Sequence, residues 1–171
     1  MTVAQGNLKE FQEALAKRMR DASEIESTAR LGLESGGQRY LLRLEEAGEV
    51  LPVPSLYPVP LTRNWFLGLS NVRGNLVAVI DLAEFAGGAS TVRGAEARLV
   101  LFAERFGARS SRLVARMLGL KNLSGFDACE GGSAPPWVRS CYVEKNGGTV
   151  VWRELDMGAL IANESFLQVC R

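Results

Sequence analysis

The sequence predicts a mainly β protein, either an antiparallel barrel or a sandwich. About eight or nine short stretches with alternating apolar and polar residues follow one another along the chain. Most are separated by tight turns rich in glycine and asparagine, and few stretches show a helical period. The chain has 171 residues, of which 47% are hydrophobic and 23% charged, so one domain can bury its own core. These observations exclude wholesale disorder and disfavour alternating β–α–β units.

The N-terminal residues predict a helical extension that precedes the β domain. Apolar side chains recur there at the helical period and form one narrow stripe, whose members are Leu8, Phe11, Leu15, Met19, Ala22 and Ile25. Asn7 is the expected N-cap, with Glu10 three residues later. A lone helix with one apolar stripe must pack on something, either its own domain or a partner or second copy. We therefore expect an extension over residues 1–28 and a β domain over residues 29–171.

The β domain is expected to begin with a hairpin and a stiff connection. Residues 29–34 and 39–44 predict two strands around a Gly-Gly turn. Four prolines then stand at positions 52, 54, 58 and 60, and they exclude a helix there. We interpret this segment as an extended crossover, although it could also present a proline-rich ligand.

The next hairpin has strong strand signals. Residues 66–73 and 76–82 predict two strands joined by a turn at Gly74-Asn75. Residues 83–88 predict a short helical turn that ends at two glycines.

The last third of the chain predicts two further hairpins. One consists of residues 98–106 and 111–118, with a turn at Gly107. Residues 124–136 are rich in Gly, Ser, Ala and Pro, so they predict a loop. The final hairpin consists of residues 138–144 and 149–155, and a short helix over 157–162 follows it.

Charge and composition exclude several classes of function. The chain has 20 basic and 19 acidic residues, which gives a net charge of +1 and disfavours a nucleic-acid partner. The sequence contains no histidine, which excludes Ser-His-Asp and Cys-His catalysis and histidine-ligated metals or haem. We therefore expect no metal, no cofactor and no enzymatic activity.

The cysteines and the hydropathy pattern indicate a cytoplasmic protein. Cys129, Cys141 and Cys170 are odd in number and lack the CxxC spacing, so neither a disulfide framework nor a zinc knuckle is expected. No stretch is long and apolar enough to span a membrane, and the first residues do not resemble a signal peptide. Direct membrane insertion is therefore not expected.

Two residues could carry chemistry on their own, and both have a simpler interpretation. Asp81 could be a buried general base, but a capping role at the end of its strand is favoured. Cys129 could be a reactive thiol, but its neighbours Asp127 and Glu130 are acidic and would not depress its pKa. It is interpreted as an incidental thiol.

The most informative residue is Arg73, which stands at the mouth of the second hairpin. A long cation on a rigid turn suits a bidentate contact with a carboxylate of a partner. Asn71 could bond turn backbone groups and hold that geometry. From the residues alone, a solvated turn arginine is the favoured interpretation, and the partner contact is the alternative.

The same segment resembles the signature of CheW-like coupling domains. The resemblance rests on Gly68, on the Asn-Val-Arg-Gly unit of residues 71–74, and on the Val-Ile-Asp-Leu strand of residues 79–82. It extends at the level of pattern over residues 30–169. The C-terminal part, from the two prolines at 135 and 136 onward, is most similar to the PilI type, the coupling proteins of type IV pilus chemosensory systems.

The resemblance implies a fold and a role. The fold is two intertwined five-stranded SH3-like barrels, here preceded by the helical extension and joined by short helices. The role is that of a non-catalytic adaptor in the control of twitching motility. Its partners are the regulatory domain of a chemotaxis-type histidine kinase and the cytoplasmic tip of a methyl-accepting chemoreceptor. The protein is then expected in the cytoplasm, recruited to membrane-associated polar receptor arrays.

The resemblance also implies site residues. Those expected to contact the receptor are Asn71, Val72, Arg73 and Gly74. Leu69 and Phe85, together with Val72, are expected to be exposed apolar side chains at strand ends, and the first two are assigned to the kinase. Gly68 and Asp81 are assigned to the structural motif.

Two positions depart from the family pattern, and a second function remains open. Leu113-Val114 is followed by Ala115-Arg116 where many members carry an aspartate, and Ala78 replaces a frequent proline. The alternative function is a small-molecule-binding β-barrel regulatory module, since barrels can enclose ligands. Medium-sized Val and Leu side chains that fill a small barrel disfavour it.

Overall fold

The computed structural model describes residues 14–18, 28–130 and 134–171. Residues 14–18 are helical and exposed, and Leu15 is 48% exposed. The rest of the predicted stripe, which includes Leu8, Phe11 and Met19, lies outside the described residues. The boundary at residue 28 stays a prediction, and the first strand begins at Ala29.

The described residues form a mainly β structure with eleven strands and a few short helices. The strands in chain order are β1 (Ala29–Ser35), β2 (Gln38–Arg43), β3 (Ala47–Pro52), β4 (Phe66–Val72), β5 (Asn75–Ile80), β6 (Arg98–Phe102), β7 (Ser110–Val114), β8 (Arg116–Asn122), β9 (Phe126–Cys129), β10 (Val138–Glu144) and β11 (Trp152–Leu155). The α-helices that follow strands are Leu82–Phe85, Met157–Ile161 and Glu164–Leu167. Single 3-10 turns are Leu44–Glu46, Glu104–Phe106 and Leu123–Gly125.

The strands form two sheets that interleave along the chain. The first sheet has the order β8-β1-β2-β11-β10-β9, and the second has the order β3-β6-β7-β5-β4. The first sheet therefore takes its strands from both ends of the β domain, and the second takes the five strands between them. Each sheet contains one parallel pair, β2 with β11 and β5 with β7. The mainly β, two-sheet architecture confirms the predicted fold class, with six strands in the first sheet.

One predicted strand proves to be two. The segment 111–118 was expected to be continuous, but it contains the end of β7 and the start of β8, which belong to different sheets. The chain crosses at Ala115, whose backbone N–H donates to the carbonyl oxygen of Glu34 (2.7 Å). No glycine, proline or other turn residue stands at the crossing, so the sequence gives no sign of it.

Two strands were missed because their residues have low strand propensity. β9 lies in the segment predicted to be a loop, and its Phe126 packs edge-on against Trp152 with ring centroids 5.6 Å apart. β3 contains Gly48 and ends at Pro52, yet it pairs with β6. Tertiary pairing thus overrides local preference at both strands.

Other boundaries moved by a few residues. β6 ends at Phe102 and is followed by a 3-10 turn, where a strand to residue 106 was expected. β11 begins at Trp152 instead of residue 149. The proline-rich connection contains no helix, as predicted. Isolated bridges join its Tyr57 to Leu69 on β4 and its Thr62 to Cys170 near the C-terminus.

The largest buried cluster ties the short helices to the sheets. Trp65 stacks on Phe166 at 5.6 Å, and Phe85 meets Trp65 edge-on at 5.1 Å. Trp137 closes the group at 5.9 Å from Phe85. Aromatic pairs of this kind add to the free energy gained by burial. The C-terminal helix Glu164–Leu167 is therefore part of the core.

One buried arginine reaches from the second sheet towards the first. Arg112 lies on β7, is 1% exposed, and donates from Nη1 to the sulfur of Met157 (3.2 Å). Burial lowers the pKa of its guanidinium to about 9, and the nearby Glu46 carboxylate opposes that shift. Charge is thus present in the core between the sheets.

Candidate functional site at the Arg73 turn

The β4–β5 hairpin turns at Arg73 and Gly74. Val72 pairs with Asn75, so Arg73 and Gly74 are the two central residues of the turn. The turn thus lies one position before the predicted Gly74-Asn75. Their φ angles are +51° and +83°, as a type I′ turn requires. Asn71 Oδ1 accepts from the Gly74 N–H at 2.8 Å, which is the turn-holding role expected of it. A left-handed conformation costs a non-glycine residue about 1–2 kcal/mol, so an arginine at position 73 is not chosen for stability.

The Arg73 side chain forms an exposed ion pair. Its Nη2 donates to Glu49 Oε1 on β3 at 2.5 Å. The Arg73 side chain is 77% exposed and that of Glu49 is 40% exposed. Exposed pairs of this kind contribute about 0–1 kcal/mol to stability. The pair therefore orients the guanidinium without sequestering it from a competing carboxylate.

Two concavities flank this ion pair and share Glu49, Val72 and Arg73. The larger, about 460 Å³, extends over β6 and the start of β7 and is also lined by Leu101, Phe102 and Arg109. The smaller, about 370 Å³, extends along β3 and is also lined by Leu51, Pro52 and Pro54. The ion pair thus stands on a ridge between two partly apolar grooves. A partner that lies across the ridge would meet charge at its centre and apolar surface on both sides.

The apolar residues predicted beside the turn are less exposed than expected. Val72 is 8% exposed, so the prediction of an exposed side chain is wrong for it, because it lies on the same face of β4 as the buried Gly68 and Ser70. Leu69 is half-buried, and its backbone exchanges hydrogen bonds of 2.8 and 2.9 Å with Tyr57. Phe85 is half-buried within the aromatic cluster. A packing role is visible for Phe85, and the assignment of Leu69 and Phe85 to the kinase stays a prediction.

The geometry explains why glycine stands at position 68. The residue has φ +121°, and a Cβ built there would lie 2.2 Å from the Tyr57 carbonyl oxygen. Real Cβ atoms do not approach backbone that closely, so only glycine lets the connecting segment cross β4.

Asp81 is a capping residue, as the favoured interpretation predicted. It is 1% exposed and accepts from the Ala83 N–H (3.1 Å) and Glu84 N–H (3.3 Å) at the start of helix Leu82–Phe85. Thr91 donates to it from both its backbone N–H (2.6 Å) and its hydroxyl (2.8 Å). Because its oxygens accept four hydrogen bonds, Asp81 fixes the chain after β5.

The sequence did not reveal Glu49 as a site residue. It lies 24 positions before Arg73 on the missed strand β3, so no local pattern connects the two. The remaining groove residues on β6 and β7 were interpreted as ordinary strand positions. The one local signal was that Glu49 stands alone between the small residues 47–48 and the apolar residues 50–51. Such a position suggests an acid with a specific role.

The described residues offer neither a metal site nor a membrane-spanning helix. In the described stretches 14–18, 28–130 and 134–171, no three His, Cys, Asp or Glu side chains are grouped so that they could hold a metal ion. No helix in the part of the chain that the structure describes has the length and apolar character to cross a membrane.

Comparisons with known proteins identify the family. The family model described as the CheW-like domain matches residues 30–164. Protein PilI of Pseudomonas aeruginosa is 35% identical over 63 residues, which are 37% of this chain and 35% of PilI, so the match spans about a third of that relative. The crystal structure of the scaffolding protein TtCheW from Thermoanaerobacter tengcongensis superposes with a TM-score of 0.66 and 14% identity, over 81% of this chain and 94% of TtCheW. This chain therefore belongs to the CheW-like domain family, whose members are scaffold and adaptor proteins of chemotaxis-type systems and are generally non-catalytic.

Proposed function

We propose that this chain is a non-catalytic adaptor that couples a methyl-accepting chemoreceptor to a chemotaxis-type histidine kinase, in a system that controls twitching by type IV pili. Family membership and the partial likeness to PilI support this role. The adaptor acts in the cytoplasm and is recruited to membrane-associated receptor arrays through its partners.

The observation that carries the proposal is the Arg73 turn. An arginine held in a left-handed turn, 77% exposed and paired to an exposed Glu49, is poorly explained by stability. A carboxylate on the receptor tip would replace Glu49 as the partner of the guanidinium. Asn71 and Gly74 shape the turn, and Val72 supports it from below. The flanking grooves would receive apolar side chains of the receptor's coiled coil.

The experiment measures binding of a receptor-tip fragment to the full chain by calorimetry. Arg73→Ala should weaken binding by about 5- to 150-fold, which corresponds to about 1–3 kcal/mol for a charge-assisted contact. Arg116→Ala is a matched control, because Arg116 forms a similar exposed pair with Glu34 at 2.9 Å. Equal affinity of wild type and Arg73→Ala would refute the receptor site.

The kinase contact is proposed at Leu69 and Phe85, near the signature. Kinase regulatory domains of similar fold would dock through apolar contacts, which charge would disrupt. Leu69→Glu is the sharper test, because Phe85 also belongs to the aromatic cluster and its substitution should reduce stability as well. Leu69→Glu should abolish capture of a kinase regulatory domain while leaving the circular dichroism spectrum unaltered. Retained capture would place the kinase surface elsewhere.

The N-terminal extension is proposed to be dispensable for folding. The family match begins at residue 30 and β1 at Ala29, which supports a boundary near residue 28. A chain lacking residues 1–26 should unfold cooperatively, having lost some stability or one partner contact. In the full chain, Phe11→Asp and Leu15→Asp distinguish two places where the helix could pack. If it packs on the domain, the substitutions should lower the melting temperature. If it packs on a partner, they should change sedimentation or pull-down at constant melting temperature. A truncated chain that is unfolded at equilibrium would show that the boundary is wrong.

The larger groove supports an alternative function, the binding of a small molecule. Its volume of about 460 Å³ lies in the range of small-molecule sites, so a ligand-binding regulatory module is the alternative. The two functions differ in one measurement. An adaptor binds a kinase fragment without added ligand, whereas a ligand-controlled module requires the ligand first.

A further inference from the structure

Two cysteines that are distant in sequence face each other across neighbouring strands. Cys129 on β9 and Cys141 on β10 are direct register partners in an antiparallel pair. Residues opposite each other in such a pair have Cα atoms about 4.5–5.5 Å apart and side chains on the same face. Disulfides occur at Cα separations of about 4.4–6.8 Å, so this register places the two residues in the range at which a disulfide can form.

A small cavity leads to both thiols. Its volume is about 290 Å³, and its lining includes Cys129, Cys141, Ala128, Val138 and Arg139. Cys129 is half-buried and Cys141 is 6% exposed, and both are free thiols. Small oxidants can therefore enter the cavity, whereas a second protein chain cannot easily reach Cys141.

The two sulfur atoms differ in environment. Burial raises the pKa of the Cys141 thiol, the nearby Cys129 adds to that effect, and Arg153 opposes it. Cys141 therefore stays protonated, and Cys129, the more exposed of the two, is the first to meet an oxidant.

We propose that Cys129 and Cys141 form a dithiol site that peroxides oxidise to an intramolecular disulfide. The Cys129 thiolate attacks one oxygen of hydrogen peroxide, the O–O bond breaks, and a sulfenic acid forms with release of hydroxide, which takes up a proton to give water. The Cys141 sulfur then attacks the Cys129 sulfur, and the hydroxyl leaves as a second water with the Cys141 proton. Two thiols lose two electrons and two protons in total, and the peroxide is reduced to two waters.

The bond would tie down one edge of the first sheet. Among the described strands, β9 is the last of that sheet and pairs with β10. The crosslink would close the chain between residues 129 and 141 into a loop and would prevent β9 from separating from β10. The site shares no lining residue with the grooves at Arg73, so its oxidation is separable from receptor binding.

The experiment uses the full chain with Cys170→Ser, because Cys170 is exposed and would crosslink separate molecules. After treatment with hydrogen peroxide, the intact mass should fall by two hydrogen atoms, and both remaining thiols should become unreactive to a maleimide together. A non-reducing peptide map should show residues 129 and 141 linked, and dithiothreitol should restore both thiols.

Two variants in the same background complete the test. Cys141→Ser leaves Cys129 alone, so peroxide should give a sulfenic acid that dimedone traps. Cys129→Ser leaves the buried thiol, which should react many-fold more slowly. The proposal is overturned if the two-cysteine chain gains oxygen atoms, forms dimers, or keeps both thiols under peroxide that oxidises the Cys141→Ser chain.

Discussion

Each of the two sheets contains a close arginine–glutamate pair, but one pair is buried and the other is exposed. In the first sheet Arg30 Nε lies 2.6 Å from Glu154 Oε1, with side chains 7% and 2% exposed. In the second sheet Arg73 and Glu49 are equally close, but 77% and 40% exposed. Similar geometry thus occurs in two dielectric environments. Breaking a buried pair leaves a charge without solvent, whereas breaking an exposed pair returns two charges to water.

The surroundings of each pair strengthen the contrast. Glu154 also accepts from the Tyr142 hydroxyl (3.3 Å) and from Arg43 Nε (3.4 Å), so several elements depend on it. Among the residues that the structure describes, the Arg73 side chain joins the turn to Glu49 alone. The first pair is therefore part of the fold, and the second is available for exchange with a partner.

The largest expected effect is at Glu154. Glu154→Ala removes the buried carboxylate that Arg30, Arg43 and Tyr142 share and should lower the free energy of unfolding by about 3–5 kcal/mol. Urea unfolding followed by circular dichroism measures it. Glu49→Ala is the matched control and should cost about 1 kcal/mol or less. If both variants lost the same stability, burial would not distinguish the two pairs.

The second effect separates two glycines of one hairpin. Gly68→Ala places a Cβ against the Tyr57 carbonyl in a left-handed backbone and should cost roughly 2–4 kcal/mol. Gly74 also has positive φ, but nothing lies within 4 Å of a Cβ there, so Gly74→Ala should cost about 1 kcal/mol. Comparing their denaturation midpoints tests the assignment of Gly68 to the structural motif. Similar losses would mean that the connecting segment moves aside.

The sequence predicted most of the fold because its signals are local. The hairpin of β1 and β2, the strand β4 and the helix capped by Asp81 depend on alternation, turn glycines and capping, which neighbouring residues determine. Local signals could not predict the crossing at Ala115 or the strand β3, since pairing with distant residues determines both.

The candidate site was predicted in part for the same reason. The turn residues 71–74 lie together in the sequence, and only the centre of the turn was displaced by one position. Glu49 and the grooves come from β3 and β6, so they require the folded sheet. The Cys129–Cys141 pair likewise depends on β9, within a segment whose composition predicted a loop.

The third prediction asks whether Arg73 opposes stability. Glycine adopts positive φ without strain, so Arg73→Gly should stabilise the folded state. Glycine also gives the unfolded chain more conformational entropy, which offsets part of this gain. The free energy of unfolding should therefore rise by about 0.5–1 kcal/mol. The same variant should weaken binding of the receptor tip. Thermal unfolding and calorimetry on one preparation measure the two effects. A loss of stability would mean that the Glu49 pair stabilises the fold more than the strained turn costs.

The smallest effect concerns Asp156, whose environment lies between the two extremes. Its side chain is 30% exposed, accepts from the Ala159 N–H (2.9 Å) as the cap of helix Met157–Ile161, and pairs with Arg139 (2.8 Å). The backbone hydrogen bond from Ala159 lowers the pKa of Asp156 below its usual 3.8, Arg139 lowers it further, and burial opposes both. The folded state therefore favours the ionised form. Its contribution is complete above about pH 5 and is lost as pH falls through the folded pKa.

Asp156→Asn tests this sign, because asparagine also caps helices but does not titrate. Wild type should lose more stability than Asp156→Asn between about pH 6 and pH 3, measured by urea unfolding at each pH. Asp127→Asn is the control, since the Asp127 side chain is 65% exposed and its oxygen lies 3.9 Å from Lys145 Nζ. That variant should follow the wild-type profile. Parallel profiles for Asp156→Asn and wild type would show that the charge of Asp156 does not contribute to stability. The Asp156–Arg139 pair would then resemble the exposed Arg73–Glu49 pair and not the buried Arg30–Glu154 pair.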